Sequence, residues 1–444
     1  MGTNMKESLM TTNSVSRRDF FGAAAGAAIG FSALADPAAA AAQAVGVRKS
    51  DLPDLTIKEV KVYVLRDSSP SDGPVGETRP RMPGGINGPH EDRLFSVVTN
   101  SGIEGIYSTR GESAGLLEYA KGLLVGKNAI DGPSFTSIWE PTLRRHPDSA
   151  YAATIDYALW DVIGKAVNLP VYKILGPYRH KVLAYASSQH LSSVEAYVED
   201  VKRAKSEGYK GYKIHPPWVL NSSGGAQAGA PSSLVRSQGG VDLELDIEVA
   251  KAVRQTSGPD MGLLLDRVGA YTREMALKVG RVLDQLNYNG FEDPLPSVDL
   301  EGCVQLCRDI DTPVQMGEMF VSMYDYAPYI RERGMDVLRF IAGNIGGITG
   351  GMKLAKTAEV FGMECVPHNW GDSYEHAVHF HMELAMPNNI WFEMMQPTGS
   401  SDRPYIIDKF RIDKDGFVPA PTKPGLGLEL DRAVMDKMMA RVET

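Results

Sequence analysis

Residues 261–320 read MGLLLDRVGAYTREMALKVGRVLDQLNYNGFEDPLPSVDLEGCVQLCRDIDTPVQMGEMF. Three segments of this stretch are apolar runs that end in an acid: MGLLLD at Asp266, YNGFE at Glu292 and PVQMGE at Glu318. The acids are 26 residues apart twice over, from 266 to 292 and from 292 to 318. A strand, a helix and two short loops take about that length, so the spacing predicts consecutive βα units. Strands of a parallel barrel end on one face, and three acids at neighbouring strand ends then converge on one point. Three carboxylates converge stably only around a cation. An all-oxygen donor set favours a hard ion, Mg2+ first.

The same rhythm extends outward. VLAYASS, GYKGYKIH, MGLLLD, GFE, PVQMGE, DVLRFI, MECVPH and IWFEMM make eight strand candidates, separated by amphipathic helices such as SVEAYVEDVKRAKSEG. That predicts a (β/α)8-like α/β barrel starting near Val182. Residues 216–240, rich in Gly, Ser and Ala, interrupt it as an insertion on the strand-2 loop. Upstream, LTIKEVKVYVLR (55–66) alternates like a strand, and DRLFSVVTNSGIEGIYS reads as a hairpin turning at Asn100-Ser101-Gly102. From Ala114 to Lys173 the pattern is mostly helical, so an α+β unit precedes the barrel. The tail from Asp402 to Thr444 has short strand-like pieces between Pro/Gly turns and is expected to pack back on that unit.

Composition narrows the function. The 444 residues suit a barrel plus a second domain. A net charge of -9 with no basic patch argues against a nucleic-acid partner. The three cysteines, Cys303, Cys307 and Cys365, give no disulfide framework, and Cys303 and Cys307 read as packed thiols on a helix. At the N-terminus, Ser16-Arg17-Arg18-Asp19-Phe20-Phe21 precedes an Ala/Gly-rich run from Gly22 to about Ala35, then Ala42-Gln43-Ala44. This resembles a twin-arginine export signal, cleaved to leave a chain from Val45. The run is too short and too poor in Leu, Ile and Val to span a bilayer well. The expectation is a periplasmic or secreted protein without membrane insertion.

Further candidates stand at other strand ends. Alternation puts Lys213 and His215 on one side of strand 2, where they could hold a substrate carboxylate and move a proton. His368 ends strand 7, able to act from the opposite face. Glu393, between Phe392 and Met394 on strand 8, is a buried acid that needs partners. His376, His379 and His381 follow strand 7 on a helix read as an outer one, so they are expected to be packing and surface histidines.

This order of residues resembles the enolase superfamily, specifically its mandelate racemase/muconate lactonizing enzyme-like branch and the mandelate racemase subgroup within it. The strings that carry the resemblance are ALWDVIGKAVNLPVYKILG, FEDP, PVQMGE, IGGITGGMKLAKTAEVFG and the His of PHNW, spread over roughly Leu55 to the C-terminus. The resemblance implies a modified (β/α)7β barrel (181–400), an α+β capping domain (45–180) completed by the C-terminal tail (401–444), and residues 1–44 as the signal. It implies one Mg2+ per subunit on Asp266, Glu292 and Glu318, and a homo-oligomer. Lys213 matches a lysine that touches the substrate carboxylate, His368 the strand-7 histidine, and Glu393 an acid that hydrogen-bonds a substrate carboxylate oxygen. Three positions depart from the pattern. The second strand-2 lysine is His215, the aspartate that pairs with the strand-7 histidine is Ile341, and an asparagine after the first ligand is Val268.

The family removes a proton α to a carboxylate. A racemase needs competent bases on both faces, and Ile341 weakens one of them. Dehydration of a sugar acid to a 2-keto-3-deoxy acid is therefore the first expectation. Racemisation, epimerisation or cycloisomerisation of a carboxylate is the second, and a non-catalytic periplasmic acid-binding protein the third. The family's lid position falls on the loop 67–91, so Arg79, Arg81 and His90 are candidates to reach the substrate, with Tyr107 near the next cap loop and the insertion 216–240 bordering the pocket.

Overall fold

The computed structural model describes residues 51–67, 90–109, 113–130, 149–217 and 240–444. The expected export signal, Arg79, Arg81 and most of the strand-2 insertion lie outside them. Strands β1 (Ile57–Asp67), β2 (His90–Thr99) and β3 (Glu104–Thr109) form an antiparallel sheet. Val60, Val62 and Val64 turn inward from β1 while Lys61 and Tyr63 stay half-buried, as the alternation of the sequence requires. Helices α1 (Ser113–Leu124), α2 (Ser149–Ala166) and the short α3 (Val171–Leu175) complete this cap.

The barrel follows. Its strands are β4 (Lys181–His190), β5 (Gly211–His215), β6 (Gly262–Asp266), β7 (Gly290–Glu292), β8 (Val314–Met316), β9 (Val337–Phe340), β10 (Glu364–Pro367) and β11 (Trp391–Met395). All are parallel, in the order β10-β9-β8-β7-β6-β5-β4-β11. No ladder joins β10 to β11. Side chains and single bonds close that seam instead: Cys365 N donates to Asn388 O at 2.9 Å, and Asn389 Nδ2 donates to Cys365 O at 3.1 Å. β12 (Phe417–Pro419) adds to the start of β4, and β13 (Met439–Glu443) pairs antiparallel with β1. The C-terminal tail thus completes the cap's sheet, as expected for this barrel-and-cap class. No described helix is long and apolar enough to cross a membrane.

Between the strands lie α4 (Val194–Glu207), α5 (Leu243–Ser257), α6 (Arg273–Gln285), α7 (Leu300–Asp309), α8 (Tyr326–Glu332), α9 (Gly347–Val360) and α10 (Ser373–Ala385). Ser193, Asp242, Thr272, Asp299 and Asp372 each cap one of these helices, accepting from a first-turn N–H. Helix α9 follows Gly346, which has no side chain to cap it. Its donor is met from the other domain. Asp156 of α2 accepts from Thr349 N at 3.1 Å and from Thr349 Oγ1 at 2.5 Å, and Trp160 Nε1 donates to the same hydroxyl at 3.0 Å. Gly347 sits at φ +77°, and a Cβ there would lie 2.3 Å from Asp156 Oδ2. Gly347→Ala therefore adds both left-handed strain and a clash. It is expected to destabilise the chain by roughly 3 kcal/mol, seen as a lower urea midpoint; an unchanged midpoint would show that the joint is slack. One turn along α2, Asp161 accepts from Ile106 N of β3 at 3.0 Å and from Leu426 N of the tail at 2.8 Å. Two carboxylates of one helix thus hold cap, tail and barrel together.

The histidine-bearing helix α10 meets only half of the expectation: its histidines pack, but none lies at the surface. His376, His379 and His381 are all buried, so none is a surface histidine. The cap and tail cover the side of α10 that would otherwise face water. Tyr172 N of α3 donates to His381 Nδ1 at 3.1 Å, and Phe410 of the tail packs 5.7 Å from the His376 ring. Cys303 is buried and Cys307 partly so, and both are free thiols.

Candidate active site

The three acids converge. Asp266 and Glu292 are direct partners in the β6–β7 ladder, and Glu318 follows β8 across Gly317. Gly317 has φ +123°, and a Cβ would meet Arg339 O at 2.5 Å, so only glycine lets the chain swing Glu318 toward its neighbours. Asp266, Glu292 and Glu318 are buried, and each offers an oxygen within 4.8 Å of the other two. Three hard oxygen donors on rigid strand ends suit a small divalent cation.

Around the triad stand two buried cations. Lys213 Nζ lies 2.7 Å from Glu393 Oε1, 3.1 Å from Glu292 Oε2 and 3.6 Å from Asp266 Oδ2. Arg339, on β9, was not among the residues expected from the sequence. Its guanidinium lies 2.8 Å from Glu292, 2.8 Å from Glu393 and 3.5 Å from Glu318, and donates to Tyr185 Oη at 3.2 Å. The signal for it was present: a lone charge inside the apolar run VLRFI must find a buried counter-charge.

Electrostatics separate these acids. Burial works against ionisation of Asp266, but Lys213 and His215 outweigh it and hold the carboxyl below its ordinary range. Burial likewise opposes the Glu393 charge, and Lys213 and Arg339 hold its carboxyl well below the usual value. Glu292 is pushed well above that value by burial, against the pull of Arg339 and Lys213. Burial, then repulsion from Asp266 and Asp293, raises Glu318 to about 7. Asp293 itself is buried beside Glu292 at φ +37°, and neither of its carboxylate oxygens has a hydrogen-bond partner. Lys213 and Arg339 relieve only part of the repulsion within the triad, leaving Glu292 and Glu318 raised, and a bound divalent ion would remove the rest. Burial lowers the Lys213 ammonium, but Glu292 and Glu393 overcome that and hold its pKa well above the ordinary lysine value.

The two histidines flank the cluster differently. His215 Nδ1 lies 2.7 Å from Ser188 O, and Nε2 lies 3.1 Å from Asp266 Oδ2. Its ring is wedged edge-on between Trp370 at 4.8 Å and His190 at 5.3 Å. His368 Nε2 is 3.9 Å from Glu318, and its Nδ1 has no hydrogen-bond partner. Ile341, at the position of the missing aspartate, offers no acceptor. Burial lowers the His368 pKa to about 4.

Glu393 joins the cluster, while Tyr107, the cap candidate whose side chain is described, lies elsewhere. Tyr107 is buried at the cap–barrel interface, its ring 4.2 Å from Tyr157 and 5.7 Å from Tyr374. His90 opens β2, but its side chain, like Arg81, lies outside what is described. Of the strand-2 insertion only the base is described. Buried Arg267, next to Asp266, donates to Pro216 O at 3.4 Å, Pro217 O at 3.3 Å and Gly240 O at 3.1 Å, so one guanidinium ties both ends.

Known proteins are similar to this chain in sequence and fold. Residues 196–434 match the family model described as enolase C-terminal domain-like. An arabinonate dehydratase from Saccharolobus solfataricus is 28% identical over 64% of this chain and 70% of its own length. An L-talarate/galactarate dehydratase from Salmonella typhimurium is 28% identical over 76% of this chain and 80% of its own. The crystal structure of D-glucarate dehydratase from Agrobacterium tumefaciens, complexed with magnesium, superposes with a TM-score of 0.75 at 28% identity, covering 88% of this chain and all of that one. With the family model spanning more than half of the chain, and with the barrel, cap and acid triad in place, the protein belongs to the enolase superfamily.

Proposed function

We propose that this protein is a hydro-lyase that dehydrates a sugar acid to a 2-keto-3-deoxy acid, with Mg2+ on Asp266, Glu292 and Glu318. The observation that carries the reading is the buried acid triad flanked by two unequally supported histidines. A divalent cation held there draws charge from a substrate carboxylate and makes the adjacent C–H more acidic.

The chain's own groups do the rest. Lys213 Nζ is engaged by three carboxylates, so it serves as a fixed positive charge beside the substrate carboxylate rather than as a base. His215 is the better-oriented base: its Nδ1 is pinned by Ser188 O, and its Nε2 faces the acid cluster. His215 Nε2 takes the proton from the α-carbon. Burial alone keeps His368 neutral near pH 7; with the anionic substrate beside it the imidazole gains its proton and delivers it to the β-hydroxyl, which leaves as water as the Cα–Cβ double bond forms. The resulting enol tautomerises to the ketone. An unsupported imidazole such as His368 suits one proton delivery better than reversible abstraction, which favours elimination over racemisation. The relatives named above, dehydratases of arabinonate and of talarate and galactarate, support the same class.

The test is a panel of aldonates and aldarates incubated with the protein and Mg2+, with 2-keto acid read as its semicarbazone. At least one is expected to yield keto acid, and the signal should vanish in EDTA. A protein that binds Mg2+ yet yields none across the panel would sink the dehydratase reading.

A further inference from the structure

The floor of the site is a closed ring of alternating charge. Lys213 meets Glu393 at 2.7 Å, Glu393 meets Arg339 at 2.8 Å, Arg339 meets Glu292 at 2.8 Å, and Glu292 returns to Lys213 at 3.1 Å. All four side chains are fully buried. They come from β5, β11, β9 and β7, every second strand of the barrel. A parallel eight-stranded barrel fills its interior with layers of four side chains taken from alternate strands, ordinarily branched apolar ones. Here one such layer is ionic, and one of its members, Glu292, belongs to the cation triad.

Each member's bonding capacity defines its task. A carboxylate has about four lone-pair positions. Glu393 fills them all: Oε1 accepts from Lys213 and from Ser187 Oγ at 2.8 Å, and Oε2 accepts from Arg339 and from Asn369 N at 3.0 Å. No position is left for a substrate oxygen's hydrogen. Arg339 is enclosed too: its guanidinium donates to Glu393, Glu318 and Tyr185, while its Nε holds Glu292 at 2.8 Å as an ion pair without a hydrogen bond. Neither residue has a surface to offer a substrate.

Resting on the cation reading above, we propose that Arg339 is a positioning residue of the metal site. Its planar fork holds Glu292 against Glu393, and Glu393 serves as the counter-ion of this ring instead of contacting substrate. Charge alone argues the other way, since a guanidinium beside two cation ligands repels the cation. The ring fixes Glu292 by both oxygens, so the ligand meets the cation already oriented.

The experiment is Mg2+ binding to the full chain by calorimetry, without substrate. Arg339→Lys keeps the charge but loses the fork. Arg339→Met loses both, and simple electrostatics expects it to bind Mg2+ more tightly. The ring predicts weaker binding in both variants, by about tenfold or more, the usual effect of losing a residue that orients a ligand. Glu393→Gln is likewise expected to weaken Mg2+ binding, whereas a substrate contact would raise KM and leave Mg2+ affinity alone. If Arg339→Met fails to fold, Arg339→Lys decides. Native-like or tighter Mg2+ binding by the folded Arg339 variants overturns the ring while leaving the metal reading intact. A native chain that binds no Mg2+ takes both down.

Discussion

Glu318→Gln is expected to melt higher than the native chain in EDTA and to gain nothing from added magnesium. Glu318 is buried beside Asp266 and Asp293 with its carboxyl pushed up to about 7, so in the metal-free protein its charge is a burden. Its cation contacts are long ones: Arg339 at 3.5 Å, and His368 at 3.9 Å if protonated. An amide of the same shape relieves the repulsion and should stabilise the metal-free fold by about 1–2 kcal/mol at neutral pH. The same change removes one of three charged donors. Losing the cation's contribution of about 4 kcal/mol lowers the rate roughly a thousandfold. Thermal melts with EDTA and with Mg2+, beside the keto-acid assay, read both effects. A variant that is less stable than native without metal would show that Glu318 is a structural acid rather than a ligand held in tension.

The second large effect separates the histidines. His215→Asn is expected to abolish exchange of the substrate α-hydrogen with D2O and to lower turnover roughly 10²–10⁴-fold. His368→Asn should lower water loss by a similar factor while exchange continues. The asymmetry follows from support: His215 has Ser188 O behind it and two aromatic rings beside it, while His368 has no partner on Nδ1. Proton NMR of the substrate in D2O, with each variant and Mg2+, distinguishes the steps. Exchange that survives in His215→Asn but not in His368→Asn would reverse the two roles.

The acids could be read from the sequence because strand alternation and a constant unit length are local properties. Lys213, His215, His368 and Glu393 were legible for a like reason, each standing at or near the end of a strand-like run. Arg339 was not, although it sits in the same register. Its significance lies in Glu292 and Glu393, which come from other strands, and nothing within VLRFI names them. The histidines of α10 show the converse failure. Reading a helix after a barrel strand as an outer one assumes water on its far side, and here that side meets Tyr172 and Phe410. Tyr107 fell to the same kind of non-local packing: placement on a cap hairpin said nothing about Tyr157 of the cap helix beside it or Tyr374 across the interface.

The joint between Asp156 and the start of α9 bears on how such sequences are recognised. IGGITG is among the strings that mark this chain's kinship, yet none of its residues is an acid, a base or a ligand. Its second glycine clears room for a carboxylate from a helix of the cap, and its threonine receives it. The string is joinery. A descendant could lose every reacting group and still keep it, because the carpentry of the two domains would demand it. Kinship read from IGGITG therefore certifies a frame, while Asp266, Glu292, Glu318, His215 and His368 must be checked one by one to say what is mounted on it.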